Sequence, residues 1–162
     1  MLNPYAKYLG TADPLATISA SPRIVKAIIR SMSLAALNYE RAPGKWSVRD
    51  IVCHLSEVEL AFAFRLRQAA AAPDHLIQPF DQDAWAKNSR HTSCPSAHEL
   101  FESVRRSNVD FIRRLPTEIF ATTVTHPERG AMTFQDLVET MAGHDINHIW
   151  QIEALASSAP NQ

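Results

Sequence analysis

The sequence predicts an all-α protein, and three observations carry that prediction. Apolar residues recur at helical spacing in four stretches, prolines mark most of the loops between them, and no alternating run is long enough to demand a sheet. No internal repeat or low-complexity tract interrupts the chain. A length of 162 residues suits one domain with its own core. We therefore expect a single helical-bundle domain over residues 1–162.

The first helical stretch is expected over residues 13–39. It begins at Asp13 and Pro14, where an aspartate can cap the helix and a proline suits the first helical position. A second proline, Pro22, removes a backbone N–H and should restart or kink the helix at that point. The sequence therefore predicts two pieces here rather than one rod.

The second helix is expected over residues 47–72. Ser47 can cap it, and Asp50 three positions later completes a weaker form of the capping box. A long polar connection follows over 73–94, with a short helix expected around 81–87. Loops of this length in compact domains are usually functional or disordered. We expect this one to form a lid or the rim of a pocket.

The third and fourth helices open at similar capping signals. The third is expected over 96–115, where a serine precedes a glutamate by three positions and Pro116 ends the pattern. The fourth is expected over 133–156, with Thr133 as its cap and an aspartate three residues later. Between them, an irregular segment should contain a short hairpin around residues 127–130.

Charge, cysteine content and hydropathy exclude several classes of partner. Sixteen Lys and Arg against 17 Asp and Glu leave a net charge of -1, without the basic excess that nucleic-acid binding requires. Two isolated cysteines, Cys53 and Cys94, indicate reduced thiols rather than a thiolate metal site. No signal-peptide core and no apolar window near the ~18 residues of a membrane span is present. We expect a cytoplasmic protein without a nucleic-acid or membrane partner.

Two histidines four residues apart, His144 and His148, interrupt the apolar face of the fourth helix. Residues at this spacing are neighbours on a helix surface and can supply two adjacent ligands to one metal ion. A third histidine, His54, lies at the flank of the core stripe of the second helix. The three together predict a divalent metal site. The alternative is a plain helical bundle in which the histidines are hydrogen-bonded core residues.

The same spacing occurs in the zincin motif, which offers a competing kind of metal site. That motif requires glutamate directly after the first histidine, because the glutamate acts as the general base. Here Asp145 occupies the position, and its side chain has a shorter reach. The sequence therefore disfavours a zincin-type protease.

Three polar residues near the histidines have two interpretations each. Asp145 can orient the imidazole of a histidine other than its own neighbour, or play no part in the site. Gln151 can hydrogen-bond within the pocket, or be a polar residue at a helix boundary. Arg65 can hold an anionic group of a substrate, or form a surface ion pair.

The remaining histidines and two apolar residues are assigned to the surface. His75, His91 and His98, together with His126, have no partner at ligand spacing and are expected in solvent. Ile146 and Trp150 project from the face of the fourth helix opposite the metal site. Two large apolar groups without a core predict a homodimer contact.

Two segments of the chain resemble a known family. The first is Pro43 to Glu59, which reads PGKWSVRDIVCHLSEVE, and the second is His144-Asp145-x-x-His148-x-x-Gln151-Ile152. Both segments, and their separation of about ninety residues, are similar to the DinB-like (YfiT-like) metal-dependent hydrolases and thiol S-transferases. The resemblance covers nearly the whole chain.

This resemblance implies a four-helix bundle of up-up-down-down type. It also implies a divalent metal, often zinc or nickel, held at His54, His144 and His148. Glu59 matches an acidic position of the family signature and is a candidate proton acceptor or a partner of a metal ligand. The alternative is a partly exposed carboxylate paired with an arginine. Some relatives, the mycothiol-dependent maleylpyruvate isomerases, have glutamate at the position of His144, so the histidine here points to the bacillithiol-transferase-like or uncharacterised branches.

The sequence therefore predicts a metal-dependent enzyme that acts on a small molecule, with Glu59 and Gln151 as candidate catalytic residues. The reaction is expected to be hydrolysis or the transfer of a low-molecular-weight, bacillithiol-like thiol to an electrophile. The alternative is a metal-binding stress-response protein without catalytic activity.

Overall fold

Four long helices form the body of the molecule in a computed structural model that describes residues 3–89 and 92–159. They are α2 (Pro14–Ile29), α4 (Val48–Ala71), α6 (Cys94–Arg113) and α7 (Phe134–Ser158). Helices α2 and α4 each pack against both α6 and α7. The predicted all-α four-helix bundle is confirmed. None of the helices in these described ranges has both the length and the apolar character needed to span a bilayer.

Short elements fill the connections between the long helices. They are α1 (Ala6–Leu9), α3 (Leu34–Leu37), α5 (Gln82–Asn88), a 3-10 helix (Thr117–Ala121), β1 (Thr123–His126) and β2 (Gly130–Thr133). The two strands pair antiparallel as a hairpin, with His126 opposite Gly130. Gly130 has a φ of 82°, a left-handed conformation that glycine adopts without strain. The hairpin expected around 127–130 is therefore present.

Helix α2 runs through Pro22 without a break, contrary to the prediction of two pieces at that residue. A proline inside a helix leaves the carbonyl four residues earlier without its usual donor. Here that carbonyl belongs to Ile18, and Nη1 of Arg105 donates to it at 2.9 Å. The arginine from α6 replaces the missing N–H, so the helix continues. The stretch expected over 13–39 is interrupted later, after Ile29.

Capping boxes fix the starts of both helices that carry the histidines. At the start of α4, Asp50 N–H donates to the Ser47 hydroxyl and Ser47 N–H donates to the Asp50 carboxylate. Thr133 and Asp136 exchange the same two bonds at the start of α7. These bonds satisfy backbone donors that a helix end otherwise leaves free.

Helix α6 begins two residues before the start expected from the sequence. The Ser93 hydroxyl accepts from Ser96 N–H at 3.2 Å, so Ser93 is the cap. Pro95 then occupies the first turn, where its missing N–H costs no intrahelical bond.

The core consists of two clusters of buried apolar side chains. Along α7 the first cluster ends at Ala142 and the second begins at Ile149. His144 and His148 lie in the interval between them. The imidazoles therefore lie where the apolar interior changes from one cluster to the next.

Candidate metal centre

Three buried histidines converge from two helices. His54 of α4 and His144 and His148 of α7 are 2%, 5% and 6% exposed. One ring nitrogen of each lies within 4.8 Å of those of the other two. The Nε2 atoms of His54 and His144 are 3.1 Å apart, although the residues are 90 positions apart in the chain. The structure thus brings together the three histidines that the sequence singled out.

The arrangement suits a divalent metal ion. Two nitrogens bound to zinc at 2.0–2.1 Å in tetrahedral geometry lie about 3.3 Å from each other. The 3.1 Å between the Nε2 atoms of His54 and His144 is close to this value. Imidazole is a good ligand for zinc, nickel, copper and iron. The donor set therefore fits a metal ion of this group without selecting one.

At least two of the imidazoles are neutral at physiological pH. Burial, followed by the nearby imidazoles of His144 and His148, lowers the pKa of His54 to about 2. Burial and His144 lower the pKa of His148 to about 3, although a hydrogen bond to Gln151 opposes the shift. Neutral imidazoles present the lone pairs that metal binding requires.

Gln151 determines which nitrogen of His148 is free. Its Oε1 lies 2.9 Å from Nδ1 of His148. Because an amide oxygen only accepts, Nδ1 carries the proton and Nε2 keeps its lone pair. Nδ1 of His54 is buried and has no hydrogen-bond partner within the described residues. Trp46 covers the same imidazole, with ring centroids 4.8 Å apart.

A buried arginine joins two carboxylates behind the histidines. Arg105 of α6 is 3% exposed. Its Nη2 donates to Glu59 Oε2 at 2.6 Å and to Asp145 Oδ1 at 3.2 Å. The Asn108 amide donates to Oε1 of Glu59 at 2.7 Å. Because two carboxylates oppose one guanidinium, the ion cluster formed by Glu59, Arg105 and Asp145 carries one net negative charge when all three are ionised.

This ion cluster answers two of the questions that the sequence left open. Glu59 adopts the alternative arrangement, an ion pair with arginine, but the pair is buried. Of the two interpretations of Asp145, orientation of another histidine is wrong, because the carboxylate is bound to Arg105. The nearest imidazole nitrogen recorded for it is Nδ1 of His144, at 3.9 Å. Burial alone would raise the pKa of Asp145, but the charge of Arg105 lowers it below its usual range.

Sequence reasoning missed Arg105. A charged residue on an amphipathic helix is usually exposed, so the apolar pattern of α6 assigned no role to Arg105. One signal was available, because Pro22 frees the carbonyl of Ile18 and a buried carbonyl requires a donor. Which residue supplies that donor depends on the packing of α2 against α6.

A cavity of about 220 Å³ opens beside His144. Its wall combines side chains of α4, of the 73–94 connection, of the hairpin and of α7, together with Tyr5. The residues that line it include Tyr5, Phe62, Arg65, Phe80, His126, Arg129, Thr140 and His144. The connection between α4 and α6 thus forms part of a pocket rim, as the sequence led us to expect.

Tyr5 is a second residue that the sequence did not single out. Its ring meets His144 edge-on, with centroids 5.1 Å apart and an interplanar angle of 88°. The close approach requires glycine at position 143, because a Cβ there would overlap Tyr5 O and lie 2.8 Å from Tyr5 Cβ. The N-terminal segment is therefore docked directly over one side of the histidine cluster.

The prediction that the other histidines lie in solvent is wrong for two of them. His98 is 3% exposed and its Nε2 lies 2.8 Å from the carbonyl oxygen of Pro22. His126 is 7% exposed and lines the cavity. His75 is half-buried, and His91 lies outside the described residues. Their burial depends on tertiary contacts that a single segment does not reveal.

Comparison with known protein families gives one match over most of the chain. The model of the DinB superfamily matches residues 17–152, an interval that contains all three histidines. The resemblance noted in the sequence is confirmed.

Individual relatives are more distant but cover most of both chains. A protein of Oceanobacillus iheyensis named "putative metal-dependent hydrolase" is 24% identical over 135 residues, which are 83% of this chain and 78% of the relative. YfiT of Bacillus subtilis, which carries the same description, is 22% identical over 138 residues, with the same two coverages. The solved structure of YfiT, described as a probable metal-dependent hydrolase with an unusual four-helix bundle topology, superposes with a TM-score of 0.83. It is 21% identical and covers 89% of this chain and 84% of its own, so it supports the fold.

Proposed function

The chain belongs to the DinB superfamily, and we propose that it is a metal-dependent enzyme, either a hydrolase or an S-transferase that uses a low-molecular-weight, bacillithiol-like thiol. His54, His144 and His148 hold the divalent ion in this proposal, with zinc or nickel as the expected metal. The observation that carries it is a cluster of three buried histidines beside a cavity. The names of the relatives support metal dependence and hydrolysis.

The metal supplies the chemistry that the side chains lack. A divalent ion held by His54, His144 and His148 would supply a Lewis acid able to activate a water or a thiol as a nucleophile. The same centre therefore suits both hydrolysis and thiol transfer.

The surrounding residues prepare the site for a cation. Gln151 holds the Nδ1 proton of His148 and thereby directs the Nε2 lone pair at the cluster. Glu59 and Asp145, bridged by Arg105, place one net negative charge beside His144. In a buried setting this charge favours the binding of a positive ion. We assign Glu59 and Gln151 to positioning, because their hydrogen-bonding oxygens are already occupied within the protein.

Metal content tests the first part of the proposal. The purified chain should bind about one zinc or nickel ion, measured by elemental analysis and by titration calorimetry. His54→Gln and His148→Gln should each abolish stoichiometric binding, since each removes one of three ligands. His75→Gln is the matched control, because this half-buried histidine lies outside the cluster. Stoichiometric metal in the ligand variants, or none in the native protein, would overturn the proposal.

Turnover tests the second part. The metal-loaded protein should hydrolyse members of an ester and amide panel, or consume thiol together with an alkylating electrophile, and His148→Gln should do neither above background. Product identity then distinguishes hydrolysis from thiol transfer.

A metal-binding protein without catalytic activity is the second candidate. The observation that favours it is the low exposure of the three histidines, at most 6%. A closed site of this kind would have no exchangeable ligand position. Cobalt substitution distinguishes the two, because added thiol should change the visible spectrum of an open site and leave that of a closed one unchanged.

A further inference from the structure

The cavity beside His144 is lined by positively charged groups from two parts of the chain. Arg65 comes from α4, and Arg129 comes from the turn between β1 and β2. Both arginines line this one cavity. Burial lowers the pKa of Arg65, and the charge of Arg129 lowers it further, which indicates that the two cations act on each other.

Neither guanidinium is neutralised by an ion pair. Among residues 3–89 and 92–159, no carboxylate lies within 4.0 Å of Arg65 or Arg129. The hydrogen bond recorded for the side chain of Arg65 goes to the carbonyl oxygen of Gln78, at 3.1 Å. Glu128 is the acidic residue among those that line the cavity. Two partly buried cations without an ion-pair partner repel each other, and an anion bound between them would relieve this repulsion.

Aromatic rings hold Arg65 in place. Its guanidinium carbon lies 5.4 Å from the ring centroid of Phe80 and 6.0 Å from that of Phe62. Contacts of this kind, together with the bond to Gln78, restrict the long side chain before any ligand arrives. A preorganised guanidinium loses little conformational freedom when it binds an oxyanion.

His126 adds a neutral donor to the same wall. Its Nδ1 accepts from the Glu128 backbone N–H at 3.2 Å, so the proton of the neutral ring is on Nε2. Burial, together with the charges of Arg129 and Arg65, lowers the pKa of His126 and keeps it neutral, although Glu128 opposes this effect. Tyr5 and Thr140 line the same cavity, and the Thr140 hydroxyl donates to the carbonyl oxygen of Asp136 at 2.6 Å.

We propose that this cavity binds the oxyanion group, a carboxylate or a phosphate, of a small anionic substrate, with Arg65 and Arg129 as its cationic partners. Forked guanidinium groups match the geometry of both oxyanions. At about 220 Å³, the cavity is smaller than the ~300–1,000 Å³ of typical ligand pockets, which suits the small oxyanion group of a ligand. Because His144 lines the same cavity, the rest of the bound molecule lies next to the histidine cluster.

That the anion belongs to a substrate rests on the proposed function, whereas the anion site itself does not. The test therefore uses the full chain without metal, so that a carboxylate cannot bind to the ion instead. Metal is stripped with a chelator, which is then removed by dialysis. Malonate and inorganic phosphate are the probes, and malonamide is the neutral isostere of malonate. Calorimetry measures the dissociation constants.

Native protein should bind malonate or phosphate and should not bind malonamide. Arg65→Gln and Arg129→Gln should each weaken binding by about tenfold or more, the effect of losing a charge-assisted hydrogen bond. Arg30→Gln removes one exposed cation outside the cavity and should bind as the native protein does. Preference for malonate indicates a carboxylate substrate, and preference for phosphate a phosphorylated one.

Equal affinity for malonate and malonamide would overturn the inference. Anion affinities of Arg65→Gln and Arg129→Gln equal to that of Arg30→Gln would overturn it as well. Thermal melts monitor folding. If Arg65→Gln unfolds because its aromatic contacts are lost, Arg129→Gln on the hairpin turn still carries the test. Arg129→Lys, which keeps the charge but loses the fork, should bind with intermediate affinity. Loss of metal binding with retained anion binding would overturn the proposed function and leave the anion site intact.

Discussion

At the scale of single residues, the orientation of His148 depends on Gln151. The exposed Gln151 side chain accepts a hydrogen bond from Nδ1–H of the buried His148, and within the described residues that nitrogen has no other partner. Without it, both the tautomer and the ring angle of His148 are less restricted. We therefore expect the glutamine to contribute to metal affinity without touching the metal.

Gln151→Ala should weaken metal binding by about 10-fold to 100-fold, the usual effect of losing a hydrogen bond to a ligand imidazole. Competition with a chromophoric chelator measures the affinity. Gln151→Glu, which can still accept the hydrogen bond from His148 Nδ1–H, should retain most of the metal affinity. An alanine variant with native affinity would show that the packing of His148 suffices.

Arg105 is the residue on which the interior charge balance depends. Arg105→Met leaves Glu59 and Asp145 buried without their cation and should reduce the free energy of unfolding by about 3 to 5 kcal/mol. Lys26→Met is the control, because its ion pair with Glu102 is exposed on both sides and should be worth at most about 1 kcal/mol. Urea unfolding measures the free energy of unfolding of both variants.

The reduction in the free energy of unfolding caused by Arg105→Met should also depend on pH. In the native protein Arg105 lowers the pKa of Asp145, so that contribution to stability is complete above the ordinary carboxyl pKa and is lost only in strong acid. In the variant, burial without a cation raises the pKa of Asp145, and the folded state gains stability as the pH falls. The deficit relative to the native protein should therefore be smaller at pH 5 than at pH 8. A deficit independent of pH would contradict this account.

At the scale of elements, Gly143 determines how the N-terminal segment meets α7. Glycine in a helix interior costs about 1 kcal/mol relative to alanine. The absence of a Cβ allows the backbone of Tyr5 to approach the helix and places its ring against His144. Position 143 therefore carries a residue of low helix propensity, and that residue allows contact with the N-terminal segment.

Gly143→Ala should displace this segment and destabilise the protein, although helix propensity alone predicts stabilisation. Deuterium uptake at the amides of residues 6–9, which form α1, should increase. Ala154→Gly, at an exposed position of the same helix, reports the propensity difference without a clash. A stabilised Gly143→Ala protein with unchanged exchange in α1 would show that the segment does not need this approach.

At the scale of the whole molecule, the predicted homodimer depends on one exposed ring. Ile146, which the sequence placed on the same outer face, is partly buried against the first core cluster. Trp150 is 54% exposed and meets Tyr8 edge-on at 5.6 Å between centroids. The dimer remains a prediction, with Trp150 as its centre.

Trp150→Glu should convert a dimer into a monomer, because it places a charge in an apolar contact. Light scattering coupled to size-exclusion chromatography measures the mass. Leu34→Glu is the control, since this leucine of the short helix α3 is 77% exposed and far from α7 in the chain. A native protein that is already monomeric would exclude the interface.

The sequence by itself determined the features that depend on neighbours along the chain. A spacing of three residues predicts the capping boxes at Ser47 and Thr133. A spacing of four residues places His144 and His148 on one helical face. The core stripe of the second helix pointed to His54, and the family signature agreed with it. Each of these predictions needed only local geometry or a known pattern.

Only the tertiary structure decided the features that join distant segments. Pro22 does not break α2, because Arg105, 87 residues after Ile18, supplies the missing donor. His98 and His126 are buried, and Tyr5 lies against His144 from the other end of the chain. Helical spacing predicts which face of a helix is apolar, but it does not predict which polar groups the packed helices bring together. The surroundings of the metal site were therefore readable only after the four helices had been placed against each other.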